Sequence, residues 1–299
     1  MKKYHKKDFT WGYEIEWGDI DRTLKIPEHL GTWEYAETDI VNIHDPYKYI
    51  ATDPLGLLPP MGGEINTKPT ASWPEQVFRI LEIKKLFEDH GNTPSSSCVN
   101  HGHLHVFVPG LKEDIGALRG LTDYIRRNQA ITVEKCYGFK ERSDMSLFKN
   151  AKPYLKLDGG RLMPDYMSKN IIEKAEDFDS FIKMHAAGKD GVSMGRPFRY
   201  AINMYCMKHT GTIEFRCFRS TTDTAELIGQ FQFVNHFMDA ALNNGPDVPE
   251  LFEKYWFTFP KFIWNANEYS GWINTKWPKE RGPKQRAFYP VSSMQEGTV

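Results

Sequence analysis

Asn100-His101-Gly102-His103-Leu104-His105-Val106-Phe107-Val108 alternates imidazoles with aliphatic side chains. Successive side chains of an extended chain point to opposite faces, so the segment from Val99 to Val108 reads as a β-strand. Leu104, Val106 and Val108 share one face, and His101, His103 and His105 share the other. A strand with one apolar face and one face of titratable groups belongs in a sheet whose core lies on a single side.

The same pattern recurs before and after it. In Gly12-Tyr13-Glu14-Ile15-Glu16-Trp17, within a strand from Phe9 to Trp17, the apolar side holds Tyr13, Ile15 and Trp17, and the other side holds Glu14 and Glu16. In Thr212-Ile213-Glu214-Phe215-Arg216-Cys217-Phe218, within a strand from Gly211 to Phe218, Glu214 and Arg216 oppose Ile213, Phe215 and Cys217. Phe198 to Met207 and Gly63 to Thr67 complete the set, with Arg199 and Asn203 on one side of the former. Lys208-His209-Thr210-Gly211 is a connection of hairpin length.

Helical signals fall between the strands. Trp73-Pro74-Glu75 opens one that Gly91 would stop. Others are expected from about Glu113 to Ala130, from Met167 to Ala187, and from Asp223 to Asn244-Gly245, where Asp223 and Glu226 have capping-box spacing. Hairpin-linked strands interrupted by long helices predict an α+β fold: a curved antiparallel sheet with helices packed on one face. With no linker composition visible, residues 1–299 are expected to form a single catalytic domain. Its core would span about 9–245, and 246–299 would be an aromatic-rich C-terminal wrap without periodicity.

Of 299 residues, 40% are hydrophobic, 14% aromatic and 26% charged, which excludes a disordered polymer. No apolar run reaches the roughly 18 residues of a membrane helix. The start, Met1 to Asp19, lacks the apolar segment of a secretion signal. The four cysteines, Cys98, Cys136, Cys206 and Cys217, have no C-x-x-C spacing. They read as reduced thiols, and a cytoplasmic location is expected. Thirty-eight basic against 39 acidic residues give a formal charge of −1, which argues against a dominant nucleic-acid footprint.

Taken singly, an E-x-E pair is commonly the solvated side of a half-buried strand, an H-x-H pair is often inert, and E-F-R is often a cross-strand ion pair. Together they mean more. Carboxylates displayed by neighbouring strands repel one another unless a cation lies between them. A carboxylate-rich set with imidazole favours Mg²⁺ or Mn²⁺ over Zn²⁺.

The ordered motifs G-Y-E-I-E, G-G-E-I-N-T-K-P, H-G-H-L-H-V, R-x-x-x-N and G-T-I-E-F-R-x-F-R-S-T, spanning about residues 9 to 240, resemble the amidoligase family. That family belongs to the glutamine synthetase and glutamate–cysteine ligase fold group. The resemblance implies a glutamine synthetase-like catalytic domain that uses ATP to join a carboxylate to an amine. It implies metal ligation by Glu14, Glu16, Glu64, Glu214 and His103 or His105. It implies nucleotide contacts from Arg199, Asn203, Arg216 and Arg219, and a part in the chemical step for Arg216, Glu64 and Arg199. The family motif usually reads G-x-H-x-H. Here it is H-G-H-L-H, which leaves open which histidine meets metal and leaves His101 as a substrate contact or a surface residue.

The chemistry asks for these residue types in its own right. A carboxylate becomes electrophilic by attacking the ATP γ-phosphate, and cations must bring the two anions together. Water must be kept from the product of that step. The segments at about 18–60 and 138–165, with Arg142, Lys149, Lys152, Lys156 and Arg161, are candidate lids or ordinary charged loops. No G-x-x-x-x-G-K-[ST] loop is present.

Three other readings stand beside the ligase. They are a metal-dependent hydrolase, a guanidino or carboxyl kinase, and a non-catalytic nucleic-acid or assembly module supported by the basic start and by Lys279 to Arg286. The expected partners are small carboxylates and amines, with a peptide or a modified nucleotide as further candidates.

Overall fold

The computed structural model describes residues 3–21, 23–33, 61–94, 101–137, 162–186, 200–219 and 221–258. Six strands, β1 (Thr10–Asp21), β2 (Gly31–Trp33), β3 (Met61–Thr67), β4 (His101–Phe107), β5 (Ile202–Asn203) and β6 (Thr212–Arg219), form one sheet in the order β2-β3-β1-β4-β6-β5. Every neighbouring pair is antiparallel. Among the described residues six α-helices accompany it: α1 (Trp73–Asp89), α2 (Ile115–Tyr137), α3 (Asp165–Lys174), α4 (Phe178–Ala186), α5 (Thr224–Leu242) and α6 (Val248–Lys254).

The alternation expected from the sequence organises the core. Trp11, Tyr13, Ile15 and Trp17 of β1, Ile65 of β3, Leu104 and Val106 of β4, and Ile213 and Phe215 of β6 are all buried. α1 packs against β1 and β3, and α2 packs against β6. α5 closes the same apolar face with aromatic rings. Phe231 meets Trp11 edge-on at 6.0 Å and Tyr13 at 5.6 Å, and Phe237 meets Phe215 edge-on at 5.3 Å. The buried polar tips of this face have partners. Tyr13 donates its hydroxyl to Gln230 Oε1 (2.8 Å), and Trp17 Nε1 donates to the Thr221 carbonyl (3.2 Å).

Local capping explains where the helices begin. Ser72 Oγ accepts from the Glu75 amide ahead of Pro74, and Gly91 adopts φ +77° just past the end of α1. Asp223 accepts from the Glu226 amide at 2.9 Å as expected. The return contact differs, because the Glu226 carboxylate takes the Thr221 hydroxyl and Thr221 Oγ1 accepts from the Asp223 amide.

Several expected boundaries are corrected. The single helix expected over Met167–Ala187 is two, α3 and α4. At Asp177 the side chain accepts from the Ser180 amide while Ser180 Oγ accepts from the Glu176 and Asp177 amides, which starts a new helix. α2 runs on from Ala130 to Tyr137. Only Ile202 and Asn203 of the expected Phe198–Met207 strand pair with a neighbour among the described residues, and a 3-10 turn, Tyr205–Lys208, follows. α6, with Pro249 in its first turn, lies in the tail expected to lack periodicity.

A bulge in β6 is the irregularity that matters most. Gly102 pairs with Phe218 but Leu104 pairs with Phe215, so Arg216 and Cys217 together oppose His103. Strict alternation would put Phe218 with Glu214 and Arg216. The extra residue instead turns Phe218 into the core, fully buried and edge-on to Phe233 at 6.3 Å. No described helix is long and apolar enough to cross a membrane.

Candidate metal centre

The polar face is assembled by register. β1 sets Glu14 beside Asn66 of β3 on one flank and His103 of β4 on the other, and it sets Glu16 beside Glu64. β6 sets Glu214 between His105 of β4 and Asn203 of β5. Side chains directly opposite in antiparallel strands have Cβ atoms about 5 Å apart. Residues separated by up to 200 positions in sequence therefore meet.

His103 is the hub and is buried. Its Nδ1 donates to Glu14 Oε2 at 2.6 Å and lies 3.5 Å from Glu214 Oε1, while its Nε2 lies 3.9 Å from Glu16 Oε1. Two ligand groups share this ring: Glu14, His103 and Glu214, and Glu16, Glu64 and His103. Within each group the donor atoms lie within 4.8 Å of one another. Trans ligands of an octahedral Mg²⁺ stand about 4.2 Å apart, so a small contraction brings either set onto one ion. Oxygen donors plus one imidazole, with no thiolate in either group, suit Mg²⁺ or Mn²⁺.

His105 is placed differently. It faces Glu14 Oε1 through Nε2 at 2.8 Å and shares a hydrogen bond with Thr212 Oγ1 through Nδ1 at 2.9 Å. Neither ligand group contains it. Among the described side chains, His103 stands in both groups of possible ligands, and His105 contacts Glu14 from the side.

Electrostatics follow from these contacts. Burial opposes ionisation of Glu14, but hydrogen bonds and attraction from His103 and His105 outweigh it and hold the carboxyl well below the usual range. Burial likewise opposes charge on His105. Hydrogen bonds to Cys206 and Glu14, with the negative fields of Glu14 and Glu214, nevertheless push its pKa up to about 10. Glu214 feels burial first, then the stronger combined pull of Arg216 and His103, and is lowered. Arg216 is buried and hydrogen-bonds the Glu214 carboxylate, while Asn203 Nδ2 donates to Glu214 Oε2 at 2.7 Å. Four glutamates, Glu14, Glu16, Glu64 and Glu214, thus gather around His103, and a divalent cation would offset their mutual repulsion.

Of the residues expected in the site, the sheet brings together Glu14, Glu16, Glu64, His103, His105, Asn203, Glu214 and Arg216. Arg199 lies outside the described residues. So do the side chains of His101 and Arg219, whose backbones pair β4 with β6. The candidate lid cations Arg142, Lys149, Lys152, Lys156 and Arg161 and the basic run Lys279 to Arg286 are likewise outside them. Lys6, from the basic start, is tied to Asp239 at 2.9 Å.

The sequence reading missed Thr212 and Cys206. Alternation does put Thr212 on the Glu214 side, but a threonine at a strand end carries no chemical signal alone. Cys206 falls where a continuous strand was expected. No family model, no curated protein and no solved structure matches the chain.

Proposed function

We propose that the protein is an ATP-dependent carboxylate–amine ligase whose catalytic sheet is of the glutamine synthetase type. The observation that carries this reading is the convergence of Glu14, Glu16, Glu64, His103 and Glu214, from four strands, around one imidazole beside the buried Arg216. That set suits a reaction in which a carboxylate must approach a nucleotide polyphosphate.

Glu14 and Glu214, or Glu16 and Glu64, would hold a divalent ion together with His103. When bound, such ions supply positive charge for the γ-phosphate. His105 fixes Glu14 through Oε1, leaving Oε2 to turn from His103 toward an ion. Asn203 holds Glu214 from the opposite side, so the ligand carboxylates are set before substrate arrives. Arg216 opposes the negative charge of the transferring phosphoryl group and restrains Glu214. The substrate carboxylate attacks phosphorus, ADP leaves, and an unprotonated amine displaces phosphate from the acyl carbon.

The test is ADP release with Mg²⁺ across a panel of carboxylic acids and amines. Release that requires both partners, with amide product, is expected. No ATP turnover under any pairing would overturn the reading. A second reading, a metal-dependent hydrolase, is favoured by the engagement of Arg216 with Glu214 inside the cluster. Substrate cleavage without nucleotide would select it.

A further inference from the structure

Asn203 has one half of its amide committed and the other half open. It is the last residue of β5, the strand that ends the sheet, and it is only 6% exposed. Its Nδ2 donates to Glu214 Oε2 at 2.7 Å. The chemistry of its neighbours fixes which way the amide points. Arg216, a permanent cation, hydrogen-bonds Glu214 through Oε1, so that carboxylate is ionised and can only accept. The amide nitrogen must therefore face Glu214, and the amide oxygen is turned elsewhere. That oxygen, Oδ1, is buried and has no hydrogen-bond partner among the described residues.

A buried acceptor left open is costly until a donor reaches it, and its polarity selects the donor. The phosphate oxygens of a nucleotide and the oxygens of a carboxylate bring no proton to share at neutral pH, so Oδ1 refuses them. His103 and Arg216 stand at Glu214 Oε1, whereas the amide stands at Oε2, which sets Oδ1 apart from the face where the metal ligands gather. Glu14, Glu16, Glu64 and Glu214 meanwhile give the whole cluster a negative field that draws cations. A ligand that is positively charged and also carries N–H groups satisfies both conditions, and an ammonium group is that ligand.

We infer that Asn203 Oδ1 is the acceptor of an ammonium subsite, where the amine substrate binds through an N–H before it loses its proton. The occupant's role as substrate rests on the ligase reading, whereas its binding at Oδ1 does not. Asn203, which the family resemblance implies as a nucleotide contact, is thereby assigned to the amine. It restrains Glu214 through Nδ2 and sorts ligands through Oδ1. Ammonium groups with a proton on nitrogen are accepted, and quaternary ones are not.

The experiment titrates the full chain, saturated with Mg²⁺, with methylammonium and separately with tetramethylammonium, an equally charged ion without an N–H. Binding is followed by saturation-transfer difference NMR. The wild type, which needs no variant to fold, is expected to bind methylammonium at least roughly tenfold more tightly, the low end for a hydrogen bond to a charged group. In Asn203→Leu that preference is expected to vanish. A preference kept in the variant would overturn the subsite, whether both cations weaken together through a loosened Glu214 or only ATP binding falls. Equal binding of the two cations by the wild type would leave Oδ1 to water, and loss of methylammonium as Mg²⁺ is raised would place it in the metal centre. Either result overturns the subsite. The methylammonium preference with no ADP release under any carboxylate–amine pairing would sink the ligase reading and leave the subsite. Amide formation with an unchanged amine KM in Asn203→Leu would sink the subsite and leave the ligase.

Discussion

Replacing Glu14 with Gln keeps the shape of the side chain and removes its charge. Glu14 holds His103 at 2.6 Å and His105 at 2.8 Å. The His105 pKa rises from 6.5 to about 10 despite burial, and each unit corresponds to about 1.4 kcal/mol. The full shift is worth roughly 5 kcal/mol, of which Glu14 supplies a part; the variant also weakens the hydrogen bond to His103, so Glu14→Gln should cost about 3–5 kcal/mol at neutral pH. That matches the loss expected when one partner of a buried ion pair is removed.

The pH dependence has a definite sign. A histidine whose folded pKa is raised contributes stability that is fully present below about 6.5 and lost as pH rises through about 10. Wild-type stability should therefore fall across that window, and the Glu14→Gln variant should fall less steeply. Urea unfolding in the presence of a chelator, repeated from near neutral pH to about pH 10, measures both. A loss below about 1 kcal/mol at neutral pH, or parallel pH profiles for the two proteins, would refute the Glu14–His105 pairing as the dominant local interaction.

Other expectations follow from the fold. His185 is fully buried and has no hydrogen-bond partner at either ring nitrogen among the described residues, and burial lowers its pKa to about 3. A depressed folded pKa means stability present above about 6.5 and lost as pH falls toward 3, at about 1.4 kcal/mol per pH unit. His185→Phe should blunt that acid loss in urea titrations, and an unchanged acid limb would count against it. Phe218→Ala should cost about 3–5 kcal/mol by chemical denaturation, since the β6 bulge places the ring in the core. A loss near zero would return Phe218 to the outer face. A Cβ on Gly229 of α5 would stand 2.0 Å from the Thr258 carbonyl oxygen. Gly229→Ala should therefore speed hydrogen exchange across 255–258 and lower stability by about 1–3 kcal/mol, and unaltered exchange would contradict that close contact.

Much of the sheet was legible because one face is apolar and the other is not. Period-two alternation identified β1, β4 and β6 and sorted Glu14, Glu16, His103, His105 and Glu214 onto a common side. Registry was not legible. That Glu14 stands between Asn66 and His103, or that Glu214 faces His105, depends on pairings between strands far apart in sequence. The bulge at Arg216–Cys217 escapes a periodicity argument because it breaks the period. Three-residue β2 is too short to carry a pattern, and the α3–α4 break hides behind a continuous apolar stripe until Asp177 and Ser180 are read as a cap. How His103 and His105 differ was not legible either, since both sit on the same face and only distances to carboxylates on other strands separate them.

The most direct measurement is Mn²⁺ binding by electron paramagnetic resonance, with Mg²⁺ as competitor, on the wild type and on His103→Ala. Because both ligand groups share His103, the variant is expected to bind at least roughly tenfold more weakly, and Mg²⁺ is expected to displace Mn²⁺ from the wild type. Equal binding by the two proteins, or no binding by the folded wild type, would contradict the assignment of this face as a metal centre.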